Sequence, residues 1–340
     1  MSESPSPCVS LEEILSSFKV ESAALQQVAA RFPFRLSRYY AGLIRRPDDP
    51  VWRQAIPSLQ ELSDSDQSPD PLDEERLSPV PGLIHRYPDR AVLLAGRQCA
   101  VFCRFCMRKR SIGCTGDAVD LERAVDYIAV TPTLRDILIS GGDPLLLPLE
   151  MLDTLLSRLR AISHVEIIRI GSRLPVTDPA RITPELCRML ACHHPLYLNT
   201  HFNHPLELTP QAARACDLLS GAGIPLGNQT VLLKGVNDDP AVLEELFRGL
   251  LRMRVKPYYL HQMDLVQGTA HFRTPLARGM EVVEALRGRV SGMAIPHFVV
   301  DLPGGRGKVP LLAETARRQP DGSWRIRTCD GRMVAYHDPA

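Results

Sequence analysis

The sequence predicts an α/β fold, a partial (β/α)6 TIM-like barrel with an N-terminal helical extension and a C-terminal β-hairpin segment. Short apolar segments alternate with longer segments of helical spacing, a pattern typical of a parallel sheet covered by helices. About six such units are present, fewer than the eight of a closed barrel, so we expect one side to be open to a large ligand. We place the extension, the barrel and the tail at residues 1–80, 81–310 and 311–340.

Local patterns predict the individual elements. Helical spacing of apolar residues predicts helices at 11–30 and 36–44, and a stretch rich in Ser, Asp and Pro at 63–81 predicts a linker that forms a surface strap. The predicted barrel strands are 91–95, 136–140, 165–170, 196–200, 226–233 and 257–260. The predicted helices between them are 121–130, 149–162, 184–191, 210–222 and 240–253. The turn signal Asp330-Gly331 predicts a hairpin of strands 324–327 and 332–336.

Composition narrows the classes of function. A formal charge of +1 over 340 residues argues against a protein that coats nucleic acid and favours small-molecule partners. No apolar run approaches the ~18 residues needed to span a bilayer, and the N-terminus at 1–10 lacks the pattern of a secretory signal. Nine cysteines, mostly scattered singly, are typical of a reducing cytoplasm. We therefore expect a cytoplasmic protein with no nucleic-acid or membrane partner.

The strongest motif is a cysteine loop that follows the strand 91–95. Cys99, Cys103 and Cys106 have the spacing C-x-x-x-C-x-x-C, which lets one loop present three soft ligands to an iron–sulfur cube. One iron would lack a protein ligand and could bind S-adenosylmethionine through its amino and carboxylate groups. The alternatives are a zinc site completed by Cys114 or a histidine, and a disulfide that would leave one cysteine unpaired.

Two polar clusters follow predicted strands. Ser140, Gly141, Gly142 and Asp143 end the strand 136–140, and paired glycines allow the backbone to approach a ligand closely. His201 lies in a polar cluster at 199–205, where we expect it to form a hydrogen bond to a cofactor, because no carboxylate is near in sequence. A metal site formed by His201 and His204 is the alternative.

A glycine-rich loop carries one lysine near the end of the chain. An apolar strand leads to Asp301, and the loop then presents Lys308. A nucleotide-binding P-loop does not fit, because Leu302 stands where that pattern needs glycine and Val309 where it needs a hydroxyl. A lysine beside flexible glycines can instead form a Schiff base with pyridoxal phosphate. An exposed surface loop is the alternative.

Charged side chains elsewhere could serve the same site. Two arginines and a phenol precede the strand 91–95 and could bind a phosphate group through guanidinium forks: Arg86, Tyr87 and Arg90. Asp264 ends another strand and could grip an ammonium group together with Asp301. Helix capping, or an ion pair with Arg273 or Arg278, is the alternative role of these acids.

Together these motifs resemble one family closely, the lysine 2,3-aminomutases, which combine a radical S-adenosylmethionine cluster with pyridoxal phosphate. The likeness runs from about residue 39 to about residue 336 and includes 79–90, the cysteine loop through 110, 140–144, 168–173, 199–205, 228–230 and 301–308. It implies a partial barrel of the radical S-adenosylmethionine type.

The resemblance also implies a role for each motif. A 4Fe–4S cluster would be held by Cys99, Cys103 and Cys106. The adenosylmethionine site would be lined by Ser140, Gly141, Gly142, Asp143, His201 and Gln229. Pyridoxal phosphate would be bound by Lys308, with its phosphate on Arg86, Tyr87 and Arg90. The substrate carboxylate would bind Arg108, and the ε-ammonium would bind Asp264 and Asp301.

The implied activity is the interconversion of L-lysine and β-lysine, a 1,2-amino shift begun by a 5′-deoxyadenosyl radical, with an electron donor of the flavodoxin or ferredoxin type. A glutamate-specific relative would need a neutral or cationic group in place of the acidic pair. One alternative is a related enzyme that makes (R)-β-lysine for the modification of elongation factor P. A second is an iron–sulfur electron carrier or sensor without turnover, which leaves the Lys308 loop without a purpose.

Two departures from the family pattern bear on metal and assembly. Many relatives carry a cysteine where Asp239 stands and a cysteine cluster near the C-terminus, which together bind zinc between subunits. Here Cys329 is the sole cysteine in the tail, so we expect no structural zinc. A homo-oligomer is left open.

Overall fold

The computed structural model describes residues 8–63, 67–114, 120–312, 315–321, 323–328 and 330–336. Its central feature is a nine-stranded sheet in which the spatial order of the strands follows the chain from β1 to β9. The strands are β1 Leu83–Tyr87, β2 Arg90–Gly96, β3 Asp136–Gly141, β4 Ile167–Gly171, β5 Leu196–Thr200, β6 Leu226–Leu232, β7 Val255–Gln262, β8 His297–Leu302 and β9 Gly307–Pro310.

The sheet confirms the predicted barrel and extends it at both edges. Strands β2 to β8 run parallel, whereas β1 pairs antiparallel with β2 and β9 pairs antiparallel with β8. The two edges approach each other through side chains: the Lys308 N–H donates to Tyr87 Oη (2.8 Å), and Arg86 lies 3.5 Å from Asp301. The barrel is therefore nearly closed at the point where the predicted cofactor residues lie, whereas the sequence predicted an open side; the edge strands β1 and β9, which were not counted, narrow that side.

Helices cover the outside of the sheet and extend it at the N-terminus. They are α1 Leu11–Ser17, α2 Ala23–Arg31, α3 Arg38–Ala41, α4 Pro50–Ala55, α5 Leu121–Ala129, α6 Leu149–Arg160, α7 Leu174–Thr177, α8 Pro184–Ala191, α9 Pro210–Gly221, α10 Pro240–Arg252 and α11 Leu276–Leu286. Single-turn 3₁₀ helices lie at Leu59–Leu62, Pro144–Leu146, Pro179–Arg181, Pro205–Glu207, Ala270–Phe272 and Gly292–Ala294.

Three barrel helices begin with the same local feature, a capping side chain followed by proline. Thr183, Thr209 and Asp239 each cap a helix with the side-chain oxygen, and a proline follows each of them. Proline suits this position because its missing N–H would have had no partner in the first turn. The resulting helices α8, α9 and α10 bury apolar faces against the sheet.

The N-terminal extension differs from the prediction in its breaks. The expected helix 11–30 is divided into α1 and α2, because Lys19 adopts a left-handed backbone conformation (φ +56°) that ends the first helix. The expected helix 36–44 is regular only over α3. The apolar faces nevertheless join the barrel core, where Leu15, Leu36 and Tyr40 are fully buried. The boundary near residue 80 stays a prediction.

The segment expected to be a surface strap is partly buried over its described residues 67–80. Leu72 and Glu74 are each only 4% exposed. The carbonyl oxygen of Pro71 accepts a hydrogen bond from the Gly304 N–H (2.8 Å), so the strap lies against the loop that precedes Lys308. The expectation of a surface position thus holds for only part of the strap. Local sequence did not reveal the buried part, because an acid that is buried by ion pairs has the same sequence around it as an exposed one. Residues 64–66 lie outside the described residues.

The C-terminal hairpin is confirmed and gains a strand. β11 Trp324–Arg327 pairs antiparallel with β12 Met333–Tyr336, and β10 Ala316–Arg318 adds to the other edge of β11. Cys329 and residues 1–7 lie outside the described residues. Within the described part of the chain, no helix has the length and apolar character needed to cross a membrane.

Candidate active site

The cysteine loop is anchored to the N-terminal extension by its other residues. Phe102 and Arg104 donate their backbone N–H groups to the carbonyl oxygens of Arg35 and Gln54 (both 2.9 Å). The fully buried Arg104 guanidinium pairs with Glu61 at 2.6 Å. These contacts fix the loop against the N-terminal extension, and its three cysteines remain partly exposed.

The three cysteine sulfurs share one local environment. Burial, then Asp143 and the other two cysteines, raises the pKa of Cys99 well above its usual value. Burial and the neighbouring Cys103 raise the pKa of Cys106 to about 11. Such mutual effects require the sulfurs to be close to one another, although metal binding would deprotonate them.

The cysteine loop offers three thiols to one metal centre. The thiolates of three cysteines can each bind a different iron of an iron–sulfur cube. Cys114, the suggested fourth zinc ligand, is exposed and its thiol lies 3.5 Å from the carbonyl oxygen of Arg110. The donor set therefore fits a 4Fe–4S cluster.

Arg173 contacts the cysteine loop from the end of β4. Its guanidinium donates to Cys103 Sγ (2.8 Å), Glu207 Oε1 (2.8 Å) and Gln54 Oε1 (2.6 Å). Hydrogen bonds to cluster sulfurs change the reduction potential of a cluster. Sequence reasoning included Arg173 in the stretch 168–173 that resembles the family, without giving it a role; the available signal was a basic residue at a strand end.

Gly141 and Gly142 allow the backbone at the end of β3 to pack closely on the backbone at 96–98. Gly141 has φ +110°, and a Cβ there would lie 2.6 Å from the carbonyl oxygen of Gly96. A Cβ on Gly142 would lie 2.3 Å from the carbonyl oxygen of Gln98. The Gly142 and Asp143 N–H groups donate to these same two oxygens (2.6 and 2.7 Å). The end of β3 is thus fastened to the start of the cysteine loop, and an approach of these glycines to a ligand stays a prediction.

Asp143 joins the ends of β3 and β4. Its carboxylate accepts hydrogen bonds from Ser172 Oγ (2.7 Å) and from the Arg173 N–H (2.9 Å). Burial raises its pKa to about 6, in spite of these hydrogen bonds. Asp143 therefore shapes the surroundings of Cys99 in addition to any contact with a ligand.

The other residues predicted for adenosylmethionine lie on neighbouring strands. Ser140 Oγ lies 3.4 Å from Arg108 Nη1. His201 Nε2 lies 3.0 Å from Asn203 Oδ1, and burial, with Arg173 and His261, lowers the pKa of His201 well below its usual value. Gln229 lies in β6, where the register with β7 shifts. His201 is therefore neutral at physiological pH.

Lys308 lies in a polar cradle made by three strands. In the β8–β9 pair it stands opposite Asp301, and its Nζ donates to Asp301 Oδ2 (2.5 Å). Nζ also lies 3.1 Å from Nδ1 of His261 on β7. Sequence reasoning missed His261, which lies in β7 three residues before Asp264; its local sequence does not show that it faces Lys308.

The three predicted phosphate-binding residues lie beside this lysine. Tyr87 Oη accepts the hydrogen bond from the Lys308 backbone N–H, and Arg90 stacks on the Tyr87 ring at 3.9 Å. Arg86 pairs with Asp301 at 3.5 Å. The structure thus brings Arg86, Tyr87 and Lys308 together, with Arg90 at the more exposed side.

The two predicted ammonium-binding acids have opposite electrostatic character. Burial, followed by the charge of Asp301, raises the pKa of Asp264 to about 7. Burial would also raise the pKa of Asp301, but hydrogen bonds and charges from His261 and Lys308 hold it well below its usual range. The two acids influence each other and form one site with Lys308.

Arg108 lies close enough to this site to lower the pKa of Asp264 by its charge. Its Nη2 pairs with Glu74 Oε1 at 2.7 Å. Sequence reasoning missed Glu74, because an acid within a strap rich in Pro and Asp gives no sign of burial.

Comparison with known proteins agrees with this geometry. Residues 93–247 match the family model of the radical SAM superfamily, and residues 283–340 match that of lysine-2,3-aminomutase. The chain is 51% identical to the L-lysine 2,3-aminomutase of Fusobacterium nucleatum, over 89% of this chain and 73% of that protein. It is 48% identical to the enzyme of the same name from Clostridium subterminale, over 97% of this chain and 80% of that protein.

A relative with another substrate in its name also matches. The chain is 41% identical to the glutamate 2,3-aminomutase of Clostridioides difficile, over 96% of this chain and 79% of that protein. Overall sequence identity therefore shows the family, whereas the substrate has to be inferred from the residues of the site. With the cysteine loop, the barrel and these matches taken together, the chain belongs to the lysine 2,3-aminomutase family of radical S-adenosylmethionine enzymes.

Proposed function

We propose that this protein is an L-lysine 2,3-aminomutase that moves the α-amino group of lysine to C3. The observation that carries the proposal is the distribution of charge: Asp264 lies within electrostatic reach of Asp301, of Lys308 and, on another side, of the cation Arg108. This pattern suits a substrate that carries an ammonium group at one end and a carboxylate at the other.

The acidic pair also selects against glutamate. The side-chain carboxylate of glutamate would be repelled by Asp264 and Asp301, whereas the ε-ammonium of lysine is attracted. Lys308 itself supports this argument, because its Nζ is an alkylammonium group of the same kind and it lies 2.5 Å from Asp301. When Lys308 is committed to a cofactor, this carboxylate is free for the ammonium of a substrate.

The polar residues of the barrel fit the cofactors of the family. When bound, adenosylmethionine at a reduced cluster supplies a 5′-deoxyadenosyl radical, and pyridoxal phosphate supplies the conjugation that lets nitrogen migrate. We assign the cluster to Cys99, Cys103 and Cys106. We assign adenosylmethionine to Ser140, Gly141, Gly142, Asp143, His201 and Gln229. We assign pyridoxal phosphate to Arg86, Tyr87, Arg90 and Lys308.

His261 and Asp301 position the side chain of Lys308. Burial, followed by the charge of Lys308, lowers the pKa of His261, so that its imidazole is neutral and can accept a hydrogen bond. Its Nδ1 lies 3.1 Å from Lys308 Nζ. Asp301 accepts a hydrogen bond from the same amine (2.5 Å). These contacts hold Nζ at one point of the site, where the lysine would form a Schiff base with the carbonyl group of pyridoxal phosphate.

The cellular setting follows from the proposed cluster. We place the protein in the reducing cytoplasm, since a cluster of this kind is oxygen-sensitive and the described cysteines are all free thiols. We propose a flavodoxin or ferredoxin as electron donor. Assembly into a homo-oligomer is compatible with this function.

Anaerobic turnover tests the proposal. Reconstituted protein with lysine, dithionite and adenosylmethionine should form β-lysine, and chiral analysis of the product separates the elongation factor P type of enzyme, which makes the R form. Lys308→Ala should lower turnover by about three orders of magnitude or more and remove the absorbance of bound pyridoxal phosphate, while cluster content is unchanged.

Lys256→Ala is the matched control, because Lys256 is exposed on β7. It should turn over lysine like the unmodified protein. Product from glutamate without product from lysine would refute the assignment of substrate.

A further inference from the structure

We infer that Glu74 is a positioning residue that holds the Arg108 guanidinium in place for the carboxylate of the substrate. This inference rests on the proposed function, in which Arg108 binds that carboxylate. Glu74 belongs to the strap at 67–80 and is outside both the cysteine loop and the Lys308 loop.

Glu74 and Arg108 form a buried pair in which two hydrogen bonds fix the plane of the guanidinium. Glu74 Oε1 accepts from Nη2 (2.7 Å) and Oε2 accepts from Nε (3.1 Å). The Glu74 side chain is only 5% exposed and that of Arg108 14%. Burial would raise the pKa of Glu74, but Arg108 and Arg110 outweigh it and lower the pKa, so that Glu74 is ionised at neutral pH.

The pair leaves Arg108 with donors for a ligand. A guanidinium has five N–H donors. Glu74 uses one on Nε and one on Nη2, and Ser140 Oγ lies 3.4 Å from Nη1. Each terminal nitrogen of Arg108 thus keeps one further N–H, and two such donors suit a carboxylate. Glu74 therefore orients the Arg108 guanidinium without using all of its N–H donors.

The strap sets Arg108 relative to the Lys308 loop. Besides Arg108, it contacts Arg110 through Asp70 (3.2 Å), and its Pro71 carbonyl oxygen accepts the Gly304 N–H (2.8 Å). A Cβ on Gly305 would lie 2.5 Å from the side chain of Leu77, so the strap and the glycine loop are closely packed.

The chemistry of the substrate explains why this separation needs to be fixed. In an α-amino acid the carboxylate and the amino nitrogen are attached to the same carbon. The group that binds the carboxylate must therefore stay at a set distance from the lysine that carries the cofactor, so that one substrate molecule can reach both groups, and an arginine that is not held there binds the carboxylate more weakly. Glu74 connects these two parts of the site, because its strap touches both.

The test compares Glu74→Gln with Glu75→Gln in the reconstituted holoenzyme. Glu75 is the adjacent acid, its side chain is 78% exposed, and it pairs only with Arg110 among the described contacts. Glu74→Gln keeps the shape but removes the charge, and it should raise KM for lysine about tenfold with kcat changed less than about threefold, as expected for lost ground-state binding. Glu75→Gln should change either constant less than about twofold.

A binding measurement without turnover separates positioning from structural damage. The dissociation constant is read from the absorbance change of bound pyridoxal phosphate in the absence of adenosylmethionine, with lysine and with 1,5-diaminopentane, which lacks the carboxylate. Glu74→Gln should weaken lysine about tenfold and leave diaminopentane unchanged. Glu74→Asp, which retains the charge, should restore part of the lysine affinity. If Glu74→Gln fails to take up its cofactors, Glu74→Asp is measured against the unmodified protein instead: its shorter side chain should weaken lysine by about threefold and leave diaminopentane unchanged, and no loss of lysine affinity would overturn the inference.

The outcomes distinguish this inference from the proposed function. If Arg108→Lys weakens lysine but the Glu74 variant does not, the positioning role is wrong and the function of Arg108 stands. If Arg108→Lys has no effect on lysine, the role of Arg108 itself is wrong. Equal weakening of lysine and diaminopentane by the Glu74 variant would also overturn the inference, because it indicates general damage to the site.

Discussion

Asp264 and Asp301 show how two identical side chains acquire different properties from their neighbours. Asp301 faces Lys308 and His261 and stays ionised, whereas Asp264 is buried next to another acid and its pKa is raised to about 7. The site therefore changes its negative charge within the physiological range of pH. An incoming ammonium group would favour the ionised form of Asp264.

Lysine affinity should consequently depend on pH through Asp264. Between about pH 6 and pH 8 the affinity should rise more steeply with pH in the unmodified protein than in Asp264→Asn, because deprotonation of Asp264 adds attraction for the ammonium group. Titration of the holoenzyme with lysine at several pH values measures this difference. Parallel pH profiles for the two proteins would show that Asp264 does not titrate in the site.

The same shift predicts a dependence of stability on pH. A carboxyl group with a raised pKa in the folded state binds more protons when folded, so its contribution is present below its unfolded pKa and is lost as pH rises through about 7. The unfolding free energy of the apoprotein should thus decline between about pH 4 and pH 7 relative to that of Asp264→Asn.

At the scale of elements, the junction of β3 with the cysteine loop decides where the thiols lie. Gly141 and Gly142 let the backbone after β3 pack directly on the backbone at 96–98. Any side chain at Gly142 would meet backbone atoms, which cannot rotate away. The glycines are therefore needed for the position of the loop, whatever ligand they also contact.

Gly142→Ala should accordingly disturb the cluster site. The added methyl group would meet Gln98 O at 2.3 Å, and overpacking of this kind costs about 1–3 kcal/mol of unfolding free energy. Thermal unfolding of the apoprotein and the iron content after reconstitution should both fall.

Gly221→Ala is the control, since a Cβ there meets nothing within 4 Å and the residue ends helix α9. It should change stability by less than about 1 kcal/mol. Unchanged iron content in Gly142→Ala would contradict a positioning role of this junction.

At the scale of the whole molecule, a buried ionic cluster ties the N-terminal extension to the barrel. Glu61 is fully buried in the 3₁₀ helix Leu59–Leu62 and pairs with Arg104 and Lys109, both at 2.6 Å. Lys109 Nζ also donates to the Gly268 carbonyl oxygen (3.0 Å). The extension is thereby part of the support for the cysteine loop.

Glu61→Gln should destabilise the protein strongly. Removing the charge of Glu61 leaves two cations buried, and breaking a buried pair in this way costs about 3–5 kcal/mol. Glu13→Gln, which breaks an exposed pair with Arg38, should cost less than about 1 kcal/mol. Chemical denaturation of the two apoproteins measures the difference, and equal effects would refute the structural role of the cluster.

The pH dependence of this pair has the opposite sign to that of Asp264. Burial would raise the pKa of Glu61, but Arg104 and Lys109 lower it, so its stabilisation is present above its unfolded pKa and is lost as pH falls through the folded value. Acidification should therefore destabilise the unmodified protein more than Glu61→Gln.

Much of the fold, and the grouping of several candidate site residues, is predictable from local sequence. The alternation of strands and helices predicts the barrel, and Cys99, Cys103 and Cys106 are close in sequence, so the chain itself brings them together. The pair Asp301 and Lys308 is likewise seven residues apart, across a β8–β9 turn. The number of strands was underestimated, because the edge strands β1 and β9 are short and carry polar site residues such as Tyr87 and Lys308, so they lack the apolar pattern of the inner strands.

The remaining features were decided by tertiary structure. Glu74 and Arg108 are 34 residues apart, and Gln54 and Arg173 are 119 apart. Local sequence cannot show such partners, because the same acid in the strap would be an ordinary surface residue if Arg108 did not face it. The sequence by itself thus determined the order of strands and helices and the types of side chain that the barrel carries. Only the tertiary structure decided which buried partners hold Arg108 and Arg173, because ion pairs and hydrogen bonds depend on spatial proximity and burial.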